Sequence, residues 1–259
     1  MNLKSIPVNK SKHEFTFYKE DISLITKSLQ PNNQLRIEDK NLYHRIEHVL
    51  RLKPQEKFII FDRSEHVVVA LQYTEKKKYV VGTMVKKAKN ITLKPNITFL
   101  LPLLKKDNFE SALYTLVELG IQTIQPIITQ KSQKKWQERL VNTRYLNILI
   151  SAAEQSKNFA FPTLQAPVGL EQYLRENNSQ ANMKIYFDAD GDALWEKIEQ
   201  IKTKKIDKIV LMVGPEGDLT LEEKHIIKQN NFIFCKLTPT VLRSFQAVTV
   251  GVGTIRSLL

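Results

Sequence analysis

Val213-Gly214-Pro215-Glu216-Gly217-Asp218 has the composition of a ligand loop. It follows an apolar, β-branched run at 208–213. Two glycines and a proline permit a tight turn whose backbone can approach a ligand closely. Thr220 and Glu223 have capping-box spacing, which predicts a helix starting near Leu221. An ordinary strand-to-helix turn reads the same way, so this loop alone names no chemistry. A second candidate runs from Leu237 to Ala247. Pro239 predicts a loop there, and Arg243 within it could hold a phosphate, a carboxylate or a polarised base, or could be a solvated arginine. Weaker candidates are Glu118-Leu119-Gly120, with Pro126 and Ser132 downstream, and Ala152-Ala153-Glu154-Gln155-Ser156. Alone, Glu118 reads as a late-helix carboxylate and Gln155 as an exposed polar residue.

Other chemistries lack their signatures. No Gly-Lys-Ser/Thr follows the glycine loop, so it is not a phosphate-binding P-loop. Gly251-Val252-Gly253 begins like a dinucleotide fingerprint, but Arg256 takes the third glycine's place and no βαβ unit can follow. His13, His44, His48, His66 and His225 form no metal-ligand pattern, although His44 and His48 are four apart on a predicted helix. No metal is expected. Asp188, Asp190 and Asp192 around Gly191 predict an acidic turn after a strand that resembles a calcium loop only loosely. Cys235 is the single cysteine, which excludes an internal disulfide and fits a reducing cytoplasm. Its place in Phe232-Ile233-Phe234-Cys235 predicts a buried strand thiol, not a nucleophile.

Elements must hold these loops in place. The 259 residues suffice for two cores. Residues 1–90 carry 18 Lys+Arg and 10 Asp+Glu, against 21 and 17 in 91–259. Two thirds of the +12 net charge thus lies in the first third, which suggests a small basic module and a polyanionic partner. In that module, 57–61, 66–72 and 79–85 read as strands, Asp62-Arg63-Ser64 as a turn and Lys76-Lys77-Lys78 as an exposed tip. Leu42, Ile46, Val49 and Leu50 predict one face of a helix. A small β-barrel with one helix fits, as does an oligonucleotide-binding barrel. From 91 onward, strands at 97–103, 124–128, 184–187 and 208–213 alternate with helices at 108–119 and 136–155. Gly120 ends the first helix, and Leu140, Leu146, Ile150 and Ala153 line the second. That rhythm predicts a parallel α/β sheet, in which ligands bind beyond the carboxyl ends of strands. The amino-terminal residues lack an apolar signal core, and no apolar run approaches a membrane span. A soluble, cytoplasmic protein without a membrane partner is expected.

In order and spacing, these blocks resemble the RsmE family of the SPOUT superfamily, the small-subunit (16S) ribosomal RNA uridine N3-methyltransferases. His44 to Leu52 looks like the family's amino-terminal His-x-x-x-Val-Leu-Arg segment. Glu118-Leu119-Gly120 with Pro126 and Ser132, Ala153 to Ser156 with Pro162, Gly214-Pro215-Glu216-Gly217 and Leu242-Arg243 look like the later blocks. The resemblance implies an RNA-binding PUA-like β-barrel over 1–90 and a SPOUT α/β methyltransferase domain with a deep trefoil knot over 91–259. It also implies a homodimer acting on ribosomal RNA or the small ribosomal subunit. S-adenosylmethionine would be held by Phe187, Asp188, Gly214, Pro215, Glu216, Gly217, Leu237, Thr238, Leu242 and Arg243. Arg243 and Glu216 would be the catalytic candidates. Arg45, Arg51, Lys53, Lys105, Lys106 and Lys131 would contact RNA phosphates.

The chain departs from the family pattern at Thr115, Gln130-Lys131, Asp218, Thr238, Thr240, Phe245 and Gln246. Asp218 replaces a glycine, so it is expected to add negative charge beside the cofactor and to need an unusual backbone angle. The departures leave a second reading, a divergent homologue with weak or no catalysis that binds RNA in ribosome assembly.

Overall fold

A computed structural model describes residues 14–132, 138–177, 181–197 and 206–259. The chain forms two compact units, Met1–Asn90 and Ile91–Leu259. Met1 to Ser5, His13 and Trp136 lie outside the described residues, as does the side chain of Leu140.

The first unit holds a five-stranded sheet in the order β1-β3-β4-β5-β2. Its strands are β1 (Phe15–Tyr18), β2 (Gln34–Glu38), β3 (Lys57–Phe61), β4 (Glu65–Glu75) and β5 (Tyr79–Lys89). β1 pairs with β3 in parallel; the other pairs are antiparallel. The inward set Phe17, Leu35, Ile37, Phe58, Ile60, Val67, Val69 and Val80 forms the core, with α1 (Ile22–Ile25) and α2 (Lys40–His44) supplying Ile22 and Leu42.

The helix expected around 42–50 is only half α-helical. A π-turn over Arg45–Val49 follows α2, closed by Leu50 N–H donating to Arg45 C=O at 2.8 Å. The wider turn shifts the apolar stripe by one residue. Val49, expected on the buried face, is 61% exposed, while Leu50 and Leu52 pack on the core instead.

Asp62 organises the β3–β4 turn. Its carboxylate accepts from the backbone N–H of Ser23, Ser64 and Glu65 and from the Ser64 hydroxyl. Burial alone would raise its pKa, but these bonds, chiefly from Ser23, outweigh burial and hold it at about 2. A carboxylate depressed in the fold adds stability above its unfolded pKa and loses it as pH falls through the folded value. Asp62→Asn is therefore expected to cost about 2 kcal/mol at pH 7. In urea unfolding, that gap from the wild type closes between about pH 4 and about pH 2. A gap unchanged at pH 2 would contradict this account.

The second unit is built on a seven-stranded sheet with the path β12-β10-β11-β6-β7-β8, β9 also pairing with β7. Its strands are β6 (Asn96–Pro102), β7 (Thr123–Ile128), β8 (Thr163–Leu164), β9 (Val168–Gly169), β10 (Met183–Ala193), β11 (Lys208–Val213) and β12 (Ile233–Lys236). Every pair is parallel, as the strand–helix alternation predicts. Nearly continuous apolar runs in β6, β10 and β11 follow from burial on both faces. The helices are α3 (Lys106–Glu118), α4 (Glu138–Ser156), α5 (Leu170–Asn177), α6 (Leu221–Gln229) and α7 (Ser244–Leu258). Gly120, at φ 70°, follows the end of α3 in the left-handed conformation expected of a C′ glycine.

Two expectations need correction here. α4 buries Ala153 as expected, but Leu146 is 41% exposed and Ile150 half-buried, and the neighbouring Tyr145, Leu149 and Ala152 are buried with Ala153 instead. The acidic turn at 188–192 is instead a continuation of β10. The pairing with β12 skips from Phe187↔Cys235 to Asp192↔Cys235, so the intervening residues bulge out of the ladder. Gly191 sits where the bulge returns, and a Cβ there would lie 2.6 Å from the Cys235 backbone nitrogen. Cys235 is fully buried in β12, and burial pushes its thiol up to about 11, which suits a packing role.

Candidate active site

From β11 the chain crosses over β10 to β12, so β10 lies between its two successors. The bulge of β10, the carboxyl end of β11 and the segment after β12 converge on a cleft of about 390 Å³. Its lining includes Phe187 to Ala189, Val213 to Glu216, Asp218 and Val241 to Ser244, with Asn108 from α3. A smaller cavity of about 50 Å³ adjoins it, sharing Phe187 to Ala189, Val241 and Leu242 and adding Cys235, Leu237, Thr238 and Thr240. Nine of the ten residues expected around a cofactor line one cavity or the other; Gly217 lies in the same loop.

The glycine loop is fastened at several points. Glu216 Oε1 accepts from the Lys105 backbone N–H at 2.9 Å and from the Asn108 amide at 3.0 Å, tying the loop to the start of α3. Burial opposes its ionisation, but these hydrogen bonds win and hold its pKa below the usual carboxylate range. The Lys131 ammonium donates to Gly217 C=O at 2.9 Å. The predicted capping box is present: Thr220 Oγ1 accepts from Glu223 N–H and Glu223 Oε2 accepts from Thr220 N–H. Glu223 Oε1 also accepts from Gln130 N–H at 2.8 Å, so one buried carboxylate both starts α6 and braces the loop carrying Lys131.

Asp218 takes the left-handed conformation, with φ 56°, an angle that aspartate tolerates better than most side chains. Its Oδ1 accepts from the Tyr186 hydroxyl at 3.0 Å and from Leu219 N–H at 2.7 Å. Its Oδ2 pairs with Lys224 at 2.8 Å, and the same ammonium pairs with Asp188 at 2.9 Å. The added negative charge is therefore paired within the chain, by an ammonium that also serves Asp188. A Cβ on Gly214 would come within 2.9 Å of the Tyr186 hydroxyl, so this glycine makes room for the tyrosine.

Arg243 is exposed at the entry to α7. Its backbone N–H donates to Gln246 Oε1 at 3.3 Å, and Arg243 is among the residues lining the cleft. Gln246 thus has a local task at the helix start. Asn108, Tyr186 and Lys224 were not singled out by sequence reasoning. Lys224 carried a usable signal, since a lysine in the first turns of a helix opposes the helix dipole and calls for an acidic partner.

The expected RNA contacts are divided between the two units. Lys105 and Lys106 are exposed at the start of α3, beside Asn108, which lines the cleft. Arg51 and Lys53 are exposed in the first unit, while Arg45 is half-buried with its guanidinium 4.6 Å from the centre of the Phe17 ring. His44 and His48 do meet, with ring centroids 5.3 Å apart; among the described residues no group of three potential ligands could hold a metal ion. Glu118 and Gln155 are exposed and lie outside the cleft.

Residues 92–256 match the family model described as an RNA methyltransferase domain. The chain belongs to that family. The match spans the parallel-sheet unit and every loop of the cleft. Ribosomal RNA small subunit methyltransferase E of Rickettsia conorii is 24% identical over 237 residues, covering 90% of this chain and 94% of that protein. The protein of the same name from Buchnera aphidicola subsp. Schizaphis graminum is 24% identical over 231 residues, 86% of this chain and 91% of its own. These relatives bear out the resemblance to RsmE. A crystal structure of a Ribosomal RNA small subunit methyltransferase E from Neisseria gonorrhoeae bound to S-adenosyl methionine shares the fold, with a TM-score of 0.78 at 24% identity, covering 95% of this chain and 98% of that one. Among the described residues no helix is long and apolar enough to cross a membrane.

Proposed function

We propose that this chain methylates N3 of a uridine in small-subunit (16S) ribosomal RNA in the cytoplasm, with S-adenosylmethionine as donor. The observation carrying this reading is the convergence of three loops on one cleft, with Arg243 at its edge and a family match across all of them. The described residues suit the donor. Phe187, Pro215, Val241, Leu242 and Ala247 give apolar walls, the loop backbones give polar edges, and Asp188 and Glu216 give negative charge for a cation. When bound, S-adenosylmethionine supplies a methyl group already activated on a sulfonium.

The residues of the chain then have positioning and electrostatic tasks. Glu216 fixes the glycine loop against α3, and Lys131 and Glu223 brace it from the other side. A rigid loop aligns acceptor and donor, which is where proximity catalysis originates. Uracil N3 is a weakly acidic imide and must lose its proton before it is a good nucleophile. Arg243 would stabilise the resulting anion through its guanidinium. Lys105, Lys106 and Lys131 would hold phosphates near the cleft, and Arg51 and Lys53 would do so on the amino-terminal unit. Arg45, stacked on Phe17, would contribute more through packing than through phosphate contact. On this reading residues 1–90 are a PUA-like RNA-binding module, residues 91–259 a knotted SPOUT domain, and the active form a homodimer. The compensation of Asp218 by Lys224 supports activity over a catalytically silent role.

Mass spectrometry of ribosomal RNA nucleosides tests the assignment. Cells lacking the gene are expected to lose 3-methyluridine from small-subunit RNA and to regain it with a plasmid copy. Persistence of the full 3-methyluridine level in those cells would overturn the uridine-N3 activity.

A further inference from the structure

Asp188 and Asp218 both line the large cleft, and Lys224 reaches both from outside the lining, at 2.9 and 2.8 Å. Asp188 opens the bulge of β10 and Asp218 lies in the loop after β11, the two strands being neighbours with Phe187 in register with Val213. One ammonium thus bridges the β10 bulge and the glycine loop, both of which line the cleft. Asp188 is nearly inaccessible, with 6% side-chain exposure, and Lys224 has 18%, so their charges are poorly screened; Asp218, at 55%, is screened more. Burial opposes ionisation of Asp218, but Lys224 and the Leu219 N–H prevail and keep its carboxyl below the usual range. Burial likewise opposes the Lys224 charge, and the two aspartates reverse that and raise its pKa. Two carboxylates and one ammonium give the bridge a formal charge of minus one.

That charge has a consequence for ligand choice. S-adenosylmethionine and its demethylated product, S-adenosylhomocysteine, share the adenosine and amino-acid parts. They differ in one methyl group and in one positive charge on sulfur. Contacts to the shared parts cancel in the ratio of their affinities, which leaves the field at the sulfur. We propose that the Asp188–Lys224–Asp218 bridge sets the preference of this cleft for the charged donor over the neutral product. Lys224 is then a positioning and specificity-determining residue that need not touch the ligand. The proposal rests on the S-adenosylmethionine reading of the cleft.

Calorimetric titration of both nucleosides into wild-type protein, Lys224→Met and Asp218→Gly at pH 8 tests it. Asp218→Gly removes one negative charge at a backbone angle that glycine adopts freely, and Lys224→Met removes the positive charge at similar volume. The quantity read is the dissociation constant of S-adenosylhomocysteine divided by that of S-adenosylmethionine. Lys224→Met leaves a net charge of minus two and is expected to raise the ratio about fivefold; Asp218→Gly leaves zero and is expected to lower it about fivefold, with both shifts shrinking at high salt. A bridge that only held the loops in shape would weaken both ligands alike and leave the ratio fixed. Ratios within twofold of wild type, or moving in the same direction in both variants, would overturn the proposal. Asp218→Asn, which keeps the side-chain shape, and Lys224→Gln, which keeps a polar end without the charge, replace either variant if circular dichroism shows it unfolded. Wild-type protein that binds neither nucleoside would instead reject the S-adenosylmethionine reading, and the proposal with it.

Discussion

Arg243→Ala is expected to lower the turnover of methyl transfer by about 100- to 1000-fold, the usual effect of deleting one preorganised charge-stabilising group. The protein is expected to stay folded. Arg243 is exposed, and the bond that starts α7 comes from its backbone N–H, which alanine keeps. An exposed substitution of this kind moves stability by no more than about 0.5 kcal/mol. Initial rates with labelled donor and circular dichroism separate the two effects. Arg243→Lys is expected to recover only part of the rate, because an ammonium keeps the charge but not the planar fork. Turnover of Arg243→Ala within threefold of wild type would remove this residue from its role.

Gly251→Ala has the largest expected effect on the scaffold. An alanine Cβ at 251 would lie 2.5 to 2.8 Å from three atoms of the Phe187 ring. That ring is buried and lines both cavities of the site, so it cannot yield without disturbing the cleft. Overpacking of this kind costs about 1–3 kcal/mol, and weaker donor binding is expected to accompany it. Gly253 is the internal control, because a Cβ there meets nothing within 4 Å. Gly253→Ala, in the interior of α7, is expected to stabilise by about 0.5–1 kcal/mol. Urea midpoints followed by circular dichroism check both. Equal shifts in the two variants would mean that close packing on Phe187 is not what position 251 requires. The Gly251-Val252-Gly253 segment, excluded as a dinucleotide motif, thus has one glycine for helix packing and one without steric need.

Much of the parallel-sheet unit was legible because its signals are local. The run at 208–213 became β11 with those same limits, and the Thr220–Glu223 spacing became a real capping box. What escaped depends on partners distant in sequence. The Asp188–Lys224 pair joins residues 36 apart, and it forms only because β10 and β11 are neighbours in register. No single-sequence period encodes that adjacency. The bulge in β10 was hidden for a related reason: Asp-Ala-Asp-Gly-Asp has turn composition, yet the strand runs on through it and rejoins β12 at Asp192. Val49 was misplaced because helical periodicity assumes 3.6 residues per turn, and a π-turn intervenes. Asp218 gave the reverse lesson. As a departure from glycine it suggested damage to the loop, whereas its left-handed backbone and its bonds to Tyr186, Leu219 and Lys224 make it a built part of the site.

The most direct test supplies purified protein with S-adenosylmethionine carrying a deuterated methyl group and with small ribosomal subunits isolated from cells lacking the gene. The RNA is then digested and its nucleosides weighed by mass spectrometry. The account predicts deuterated 3-methyluridine, approaching one per subunit, formed by wild-type protein and not by Arg243→Ala. Deuterium on any other nucleoside, or on none, would contradict it.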